Sequence, residues 1–265
     1  MDTYAENLRI LGATYLGNVA HSAKMSASFR NGTMTYCIYM APWNTSGYQV
    51  CAFGEHCHKS CLNYSGREKI KEFTHGRDNE VFNARKRKTR LFYENRNVFM
   101  ELMIHEIKKY QKRAQRLNME FSVRINGTSD LSPLAFKYEG KNILEIFPNI
   151  QFYDYTKNPN RIKLMERFSN YDVTLSFDGH NWEECEKFLA KNGKVAVVFY
   201  GGLPSTYKGY EVGDANGYDM RYMDKGGTIC GLHYHKTAND YYINENGQRE
   251  FKEPNTPFVI MTSKL

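Results

Sequence analysis

The strongest constraint on this chain is an alternation that runs from residue 121 to residue 232. Short apolar runs, "FSVRI" at 121–125, "NIQFY" at 149–153, "DVTLSF" at 172–177, "KVAVVFY" at 194–200 and "GTICGL" at 227–232, are separated by polar turns and helical stretches. A continuous apolar run of this length reads as a strand buried on both faces. "NPNRIKLMERF" reads as a helix with Pro159 in its first turn behind Asn158 as cap. "WEECEKFLAKNG" reads as another, with Trp182, Cys185, Phe188 and Leu189 on one face and Gly193 as its stop. Upstream, "MTYCIYM" (34–40) predicts a buried strand and "NYSGREKIKEF" the start of a helix. Phe99, Met103, Ile107, Tyr110 and Ala114 form the stripe of a long helix over 94–117.

Buried strands alternating with helices predict an α/β fold with mainly parallel strands. The reading is a full or partial (β/α) barrel in one domain, 1–265, with an open doubly wound sheet as the alternative. No Gly-rich dinucleotide fingerprint and no P-loop is present. The N-terminus lacks the pattern of a secretory signal, and no apolar run reaches the ~18 residues of a membrane span. The expectation is therefore a cytoplasmic protein without a membrane partner, whose thiols stay reduced.

The 265 residues carry a formal charge of +7. Much of it lies in "ARKRKTR" (84–90) and in Lys108, Lys109, Lys112, Arg113 and Arg116. A solvated helix face explains such a run. A phosphate-binding surface for nucleic acid is the sharper alternative, with no accompanying nucleic-acid motif.

The segment "CAFGEHCHKSC" places Cys51, Cys57 and Cys61 at spacings of five and three intervening residues, with His56 and His58 among them. In a reducing compartment such a cluster points to metal. Thiolates favour zinc or iron–sulfur. A structural zinc needs a fourth ligand, His56 or His58 here. A 4Fe–4S cluster on three cysteines leaves one iron open for a small-molecule ligand. Cys37, Cys185 and Cys230 read as small buried apolar residues.

In parallel α/β folds ligands gather at the carboxyl ends of the strands. The residues predicted there are Asn126, Thr128, Ser129, Asp130, Asp154, Tyr155, Lys157, Ser176 and Asp178. Each taken singly is also a common turn former or cap. Lys157 and Arg221 carry donors suited to a carboxylate. The stretch "GDANGYDMRYMDKGG" (213–227) is either a solvated loop with internal ion pairs or a lid, and His233 and His235 share one face of a following strand.

The runs "CAFGEHCHKSCLNYSG", "ARKRKTRLFYENRNVF", "VRINGTSDL", "FPNIQFYDYTK", "NYDVTLSF", "KVAVVF" and "GDANGYDMRYMDKGGTICGL" resemble the phage gene 88 family, in order, from about Cys51 to Leu232. "NGTSD" and "FYDYTK" are its most specific signatures. The resemblance implies a virus- or mobile-element-encoded protein acting in a bacterial host cytoplasm, and no particular activity. The cysteine loop after a first strand is also similar to radical S-adenosylmethionine enzymes, whose three cysteines follow the first strand of a partial barrel. That resemblance implies a 4Fe–4S cluster and S-adenosylmethionine as cofactors. The family's cysteine spacing is three then two, and its Gly-Gly-Glu segment has no counterpart evident here.

Three functions follow. The first is an iron–sulfur enzyme, with strand-end residues holding the ligand. The second is an electron carrier or redox sensor with the same cluster and no catalysis. The third is a zinc-stapled nucleic-acid-binding protein. The sequence fixes neither substrate nor oligomeric state.

Overall fold

A computed structural model describes residues 3–19, 23–62, 80–237 and 240–265. The helix start expected at 63–73 lies outside them. The chain begins with α1 (Thr3–Leu11) and α2 (Ala23–Arg30), then β1 (Thr33–Cys37), all five residues of which are buried. Helices α3 (Glu80–Glu94) and α4 (Arg96–Arg116) precede β2 (Glu120–Arg124). A small hairpin, β3 (Lys137–Tyr138) and β4 (Lys141–Asn142), leads through the short α5 (Ile143–Ile146) into β5 (Gln151–Thr156). Then follow α6 (Ile162–Arg167), β6 (Tyr171–Ser176), α7 (Trp182–Ala190), β7 (Lys194–Tyr200), β8 (Thr206–Tyr207), β9 (Tyr210–Asp214) and β10 (Thr228–His233). A second hairpin, β11 (Tyr241–Ile243) and β12 (Arg249–Phe251), precedes the last strand, β13 (Val259–Met261).

The main sheet has nine strands in the order β1-β2-β5-β6-β7-β10-β9-β8, with β13 also on β7. All its pairings are parallel except β8 with β9. The sheet is not closed: β1 and β8 are its edges. A full barrel is therefore not formed among the described residues. The doubly wound alternative also fails, because it requires a strand order that reverses midway. Here six strands, β1 to β10, follow one another in chain order, and right-handed crossovers then place the connecting helices on one side.

That side holds the core. Val123, Phe152 and Val173 pack with Phe99, Met103, Ile107 and Ala114 of α4. Leu175, Val195, Val197 and Ile229 pack with Cys185, Phe188 and Leu189 of α7. The predicted stripes are thus the buried faces, since a helix stays on a sheet only by removing its apolar side from water. The long helix starts two residues later than expected. The Asn95 side chain accepts from the Val98 N–H as its cap, and Asn118 (φ 51°) takes the left-handed turn at its end.

The basic run on α3 departs from the solvated face expected of it. Arg85 and Lys88 are buried, lying over the rings of Tyr39 (5.0 Å) and Tyr15 (4.8 Å). Their long stems cover apolar surface while aromatic faces stand in for water around the charge. The 213–227 stretch holds the internal ion pair expected of it, Arg221 with Asp224, but is not a solvated loop. It begins as β9, then crosses the sheet face opposite α4 and α7, where Asp219 and Arg221 are buried.

Candidate functional site

The cysteine loop leaves the carboxyl end of β1 and winds through successive turns. Gly54 N–H bonds to the Cys51 carbonyl, Cys57 and His58 N–H to that of Gly54, and Cys61 N–H to that of His58. A Cβ on Gly54 would stand 3.1 Å from Cys51 Cβ and 3.6 Å from Cys57 Sγ. Glycine spares the tight contact with Cys51, while the approach to Cys57 is an ordinary van der Waals one. Cys51, Cys57 and Cys61 are half-buried thiols outside any disulfide. Cys51 Sγ accepts from the Trp43 N–H at 3.5 Å. Burial pushes its thiol up to about 12, against that hydrogen bond and with the charges of Cys61, Asp130 and Cys57 adding to it.

The two family signatures build the wall around this loop. In "NGTSD", Asn126 accepts from Ser129 Oγ (2.8 Å) and Leu131 N–H (2.9 Å), which folds the turn after β2. Gly127 lies flat on the chain leaving β1, its N–H on the Ile38 carbonyl; a Cβ there would meet the Tyr39 ring at 2.7 Å. Thr128 Oγ1 donates to the Met40 carbonyl, and its own carbonyl lies 3.8 Å from Cys51 Sγ. The Asp130 N–H donates to the Val50 carbonyl at 2.8 Å, next to Cys51. Its carboxylate accepts from Thr156 Oγ1 (2.7 Å), Lys157 N–H (2.9 Å) and Arg161 (2.9 Å).

"FYDYTK" supplies the other half. Asp154 accepts from the Asn126 N–H and Nδ2, both at 2.9 Å, and from Tyr171, with Arg161 at 3.6 Å. Burial raises its pKa, against the opposing pull of Arg161 and Asn126. Lys157 ends the signature beside the thiols. Burial works against its ammonium, but the negative charges of Cys57, Asp130, Cys51 and Cys61 outweigh burial and raise its pKa. All three sulfurs therefore share the surroundings of one cation. The Phe258 ring lies 5.0 Å from Lys157 Nζ, and Thr256 Oγ1 donates to the His56 carbonyl. The segment leading into β13 thus covers this corner.

Asn126, Thr128, Ser129, Asp130 and Lys157 do come together at the cysteine loop. Asp154 does not face it: inside β5 it points to the helix side and braces Asn126. Ser176 closes β6, its carbonyl accepting from Asn181. Asp178 takes the Asn181 and His180 N–H groups and is a local turn former. Arg221 and Tyr155 belong to the opposite sheet face. Both loop histidines pack on aromatic rings: His58 stacks on Trp43, and His56 meets the His180 ring at a tilt. His233 ends β10, and His235 lies beyond it. Sequence reasoning missed Arg161, whose buried guanidinium joins Asp130, Asp154, Tyr171 and the Leu131 carbonyl. Its sole signal is a long cation inside an apolar helical stretch.

Among the described residues, no three His, Cys, Asp or Glu side chains approach closely enough to hold one metal ion. A zinc site requires its sulfurs about 2.3 Å from a single atom. In a 4Fe–4S cluster each cysteine meets a different iron, so the sulfurs stand farther apart. No helix among the described residues is long and apolar enough to cross a membrane.

No curated protein and no solved structure matches the chain. A family model described as gene product 88 matches residues 13–246, a span that takes in the cysteine loop, both signatures and the strands β1 to β10. The chain belongs to the gene product 88 family of phage proteins.

Proposed function

We propose that this chain is an iron–sulfur enzyme in which Cys51, Cys57 and Cys61 hold a 4Fe–4S cluster at the carboxyl edge of a partial (β/α) barrel. The observation that carries the reading is that Cys51, Cys57 and Cys61 lie half-buried in one tightly turned loop after β1, held against the end of β2 through Thr128 and Asp130. A cluster on three thiolates is anionic and leaves one iron free to chelate a ligand such as the amino acid end of S-adenosylmethionine. The chain's own groups suit that role. Trp43 N–H donates to Cys51 Sγ, and the Lys157 ammonium offsets the cluster's charge. The "NGTSD" turn lies against the cysteine loop, its Asp130 N–H donating to the Val50 carbonyl next to Cys51.

Purification without oxygen, with iron, sulfide and zinc assayed on the product, tests this directly. About four irons and matching sulfide per chain are expected. Titration with S-adenosylmethionine should then perturb the cluster's spectrum and, under reduction, cleave the cofactor. Iron without any response to S-adenosylmethionine leaves the electron-carrier reading. A colourless protein with about one zinc refutes the cluster.

A second reading rests on α4. His105, Lys108, Lys109, Lys112, Gln115 and Arg116 line a groove of about 900 Å³. Such a face suits a nucleic-acid backbone, and its affinity would fall steeply with salt.

A further inference from the structure

The sheet face opposite α4 and α7 carries a second polar cluster, separate from the thiols. Tyr155 of β5 packs there with Ala196, Cys230 and Ala215. The 215–224 segment crosses this face. Its Asp219 carboxylate receives Arg124 Nη1 at 3.0 Å and the Tyr153 hydroxyl at 3.0 Å. Arg221 pairs with Asp224 at 2.8 Å and donates to the Tyr218 carbonyl at 2.7 Å. Lys24 reaches in from α2 to the Ala215 carbonyl at 2.8 Å.

After these bonds are made, Arg124 Nε, Arg221 Nε, Tyr155 Oη and Thr174 Oγ1 remain buried without a partner. They come from β2, β5, β6 and the crossing segment, yet they surround one tyrosine. Tyr155 and Thr174 are direct neighbours across β5 and β6. The Arg124 guanidinium lies 4.8 Å from the centre of the Tyr155 ring, and Arg221 is near enough for its charge to act on the phenol. All four atoms can donate a hydrogen bond, and two belong to guanidinium groups that can do nothing else. Native interiors leave few such donors unmet, and each one needs an acceptor.

We propose that this inner face binds a small-molecule oxyanion, a phosphate or carboxylate group, received by Arg124 Nε, Arg221 Nε, Tyr155 Oη and Thr174 Oγ1. The site needs none of the three cysteines and stands whether or not they hold a cluster. If they do, the anion-bearing molecule is the substrate, held on this face of the same sheet.

The test is calorimetric titration of the full chain with inorganic phosphate and, separately, with acetate, at ionic strength held constant with sodium chloride. Tyr155→Phe and Thr174→Val each delete one unpartnered hydroxyl while keeping the side chain's shape, so both variants should fold. Saturable binding of either anion is expected, weakened about tenfold in each variant, as for loss of one hydrogen bond to a charged group. Stronger binding of phosphate marks a phosphoryl ligand, and stronger binding of acetate a carboxylate. A Cys51→Ala/Cys57→Ala/Cys61→Ala variant should bind the anion as the parent does, whatever the iron assay shows. Three results overturn the proposal: no saturable binding of either anion, as when water alone fills the site; affinity unchanged in both hydroxyl variants; or binding lost with the cysteines, which would place the anion in their loop.

Discussion

Asp130→Asn is the sharpest probe of how the two signatures are joined. The Asp130 carboxylate serves three donors at once: the Thr156 hydroxyl, the Lys157 N–H and the Arg161 guanidinium. The amide keeps the shape but only one accepting oxygen. Either that oxygen serves Thr156 and Arg161 while the NH₂ faces the Lys157 N–H, or the reverse. A donor left facing a donor costs about 1–3 kcal/mol, and a lost bond to a charged group about 1.5–3 kcal/mol. Arg161, with a side chain 2% exposed, keeps Asp154 at 3.6 Å and the Leu131 carbonyl, which holds the total near the lower end. The expected loss is about 3 kcal/mol, a large part of the ~5–15 kcal/mol that holds a domain together. Urea unfolding should show it as a lower midpoint at unchanged slope. Thr156→Val, which deletes one neutral donor to Asp130 and the acceptor of the Asn158 N–H, should cost about 1–2 kcal/mol. A loss below about 1 kcal/mol for Asp130→Asn, or equal losses for the two variants, would refute the strut.

Other expectations are independent of it. Alanine at Cys51, Cys57 or Cys61 should remove most of the bound iron from anaerobically prepared protein, whereas alanine at Cys185 should leave iron content unchanged; iron retained by all three loop variants would contradict the assignment. Glu106, buried on α4, accepts from the Leu16 and Gly17 N–H groups at 2.8 Å and from the Tyr36 and Tyr4 hydroxyls. Glu106→Gln should therefore cost about 3 kcal/mol in the same unfolding assay, because one of the two N–H groups then faces an NH₂. Lys88 is 5% exposed and meets the Tyr15 ring rather than a carboxylate, and burial lowers its pKa to about 8 from 10.5. Below pH 8 the lysine is charged in both states and the folded form carries the full burial penalty. Between pH 8 and 10.5 the unfolded chain binds the extra proton, so stability should rise with pH across that window. Lys88→Met should abolish its share of that rise and stabilise the protein at pH 7 by about 1–3 kcal/mol; a destabilised methionine variant would show the cation to be paired.

The runs ending at Ile125, Phe177 and Tyr200 determined most of the sheet by themselves, because each is rich in β-branched and aromatic residues and is bounded by turn formers. The stripe from Phe99 to Ala114 likewise determined α4. The loop of Cys51, Cys57 and Cys61, with Gly54 among them, was equally plain, since its residues lie within one turn-rich segment. What the sequence could not carry is the partner of each polar group. Asp130 reads as a turn former until the fold brings Thr156 and Arg161 to it across some thirty residues. Arg124 and Asp219 are 95 residues apart and meet only because β2 and the segment before β10 share one face of the sheet. Periodicity reports which side of an element is buried, and the sequence determined that here. Which charges meet on the buried side depends on long-range strand order, and only the tertiary structure decided it.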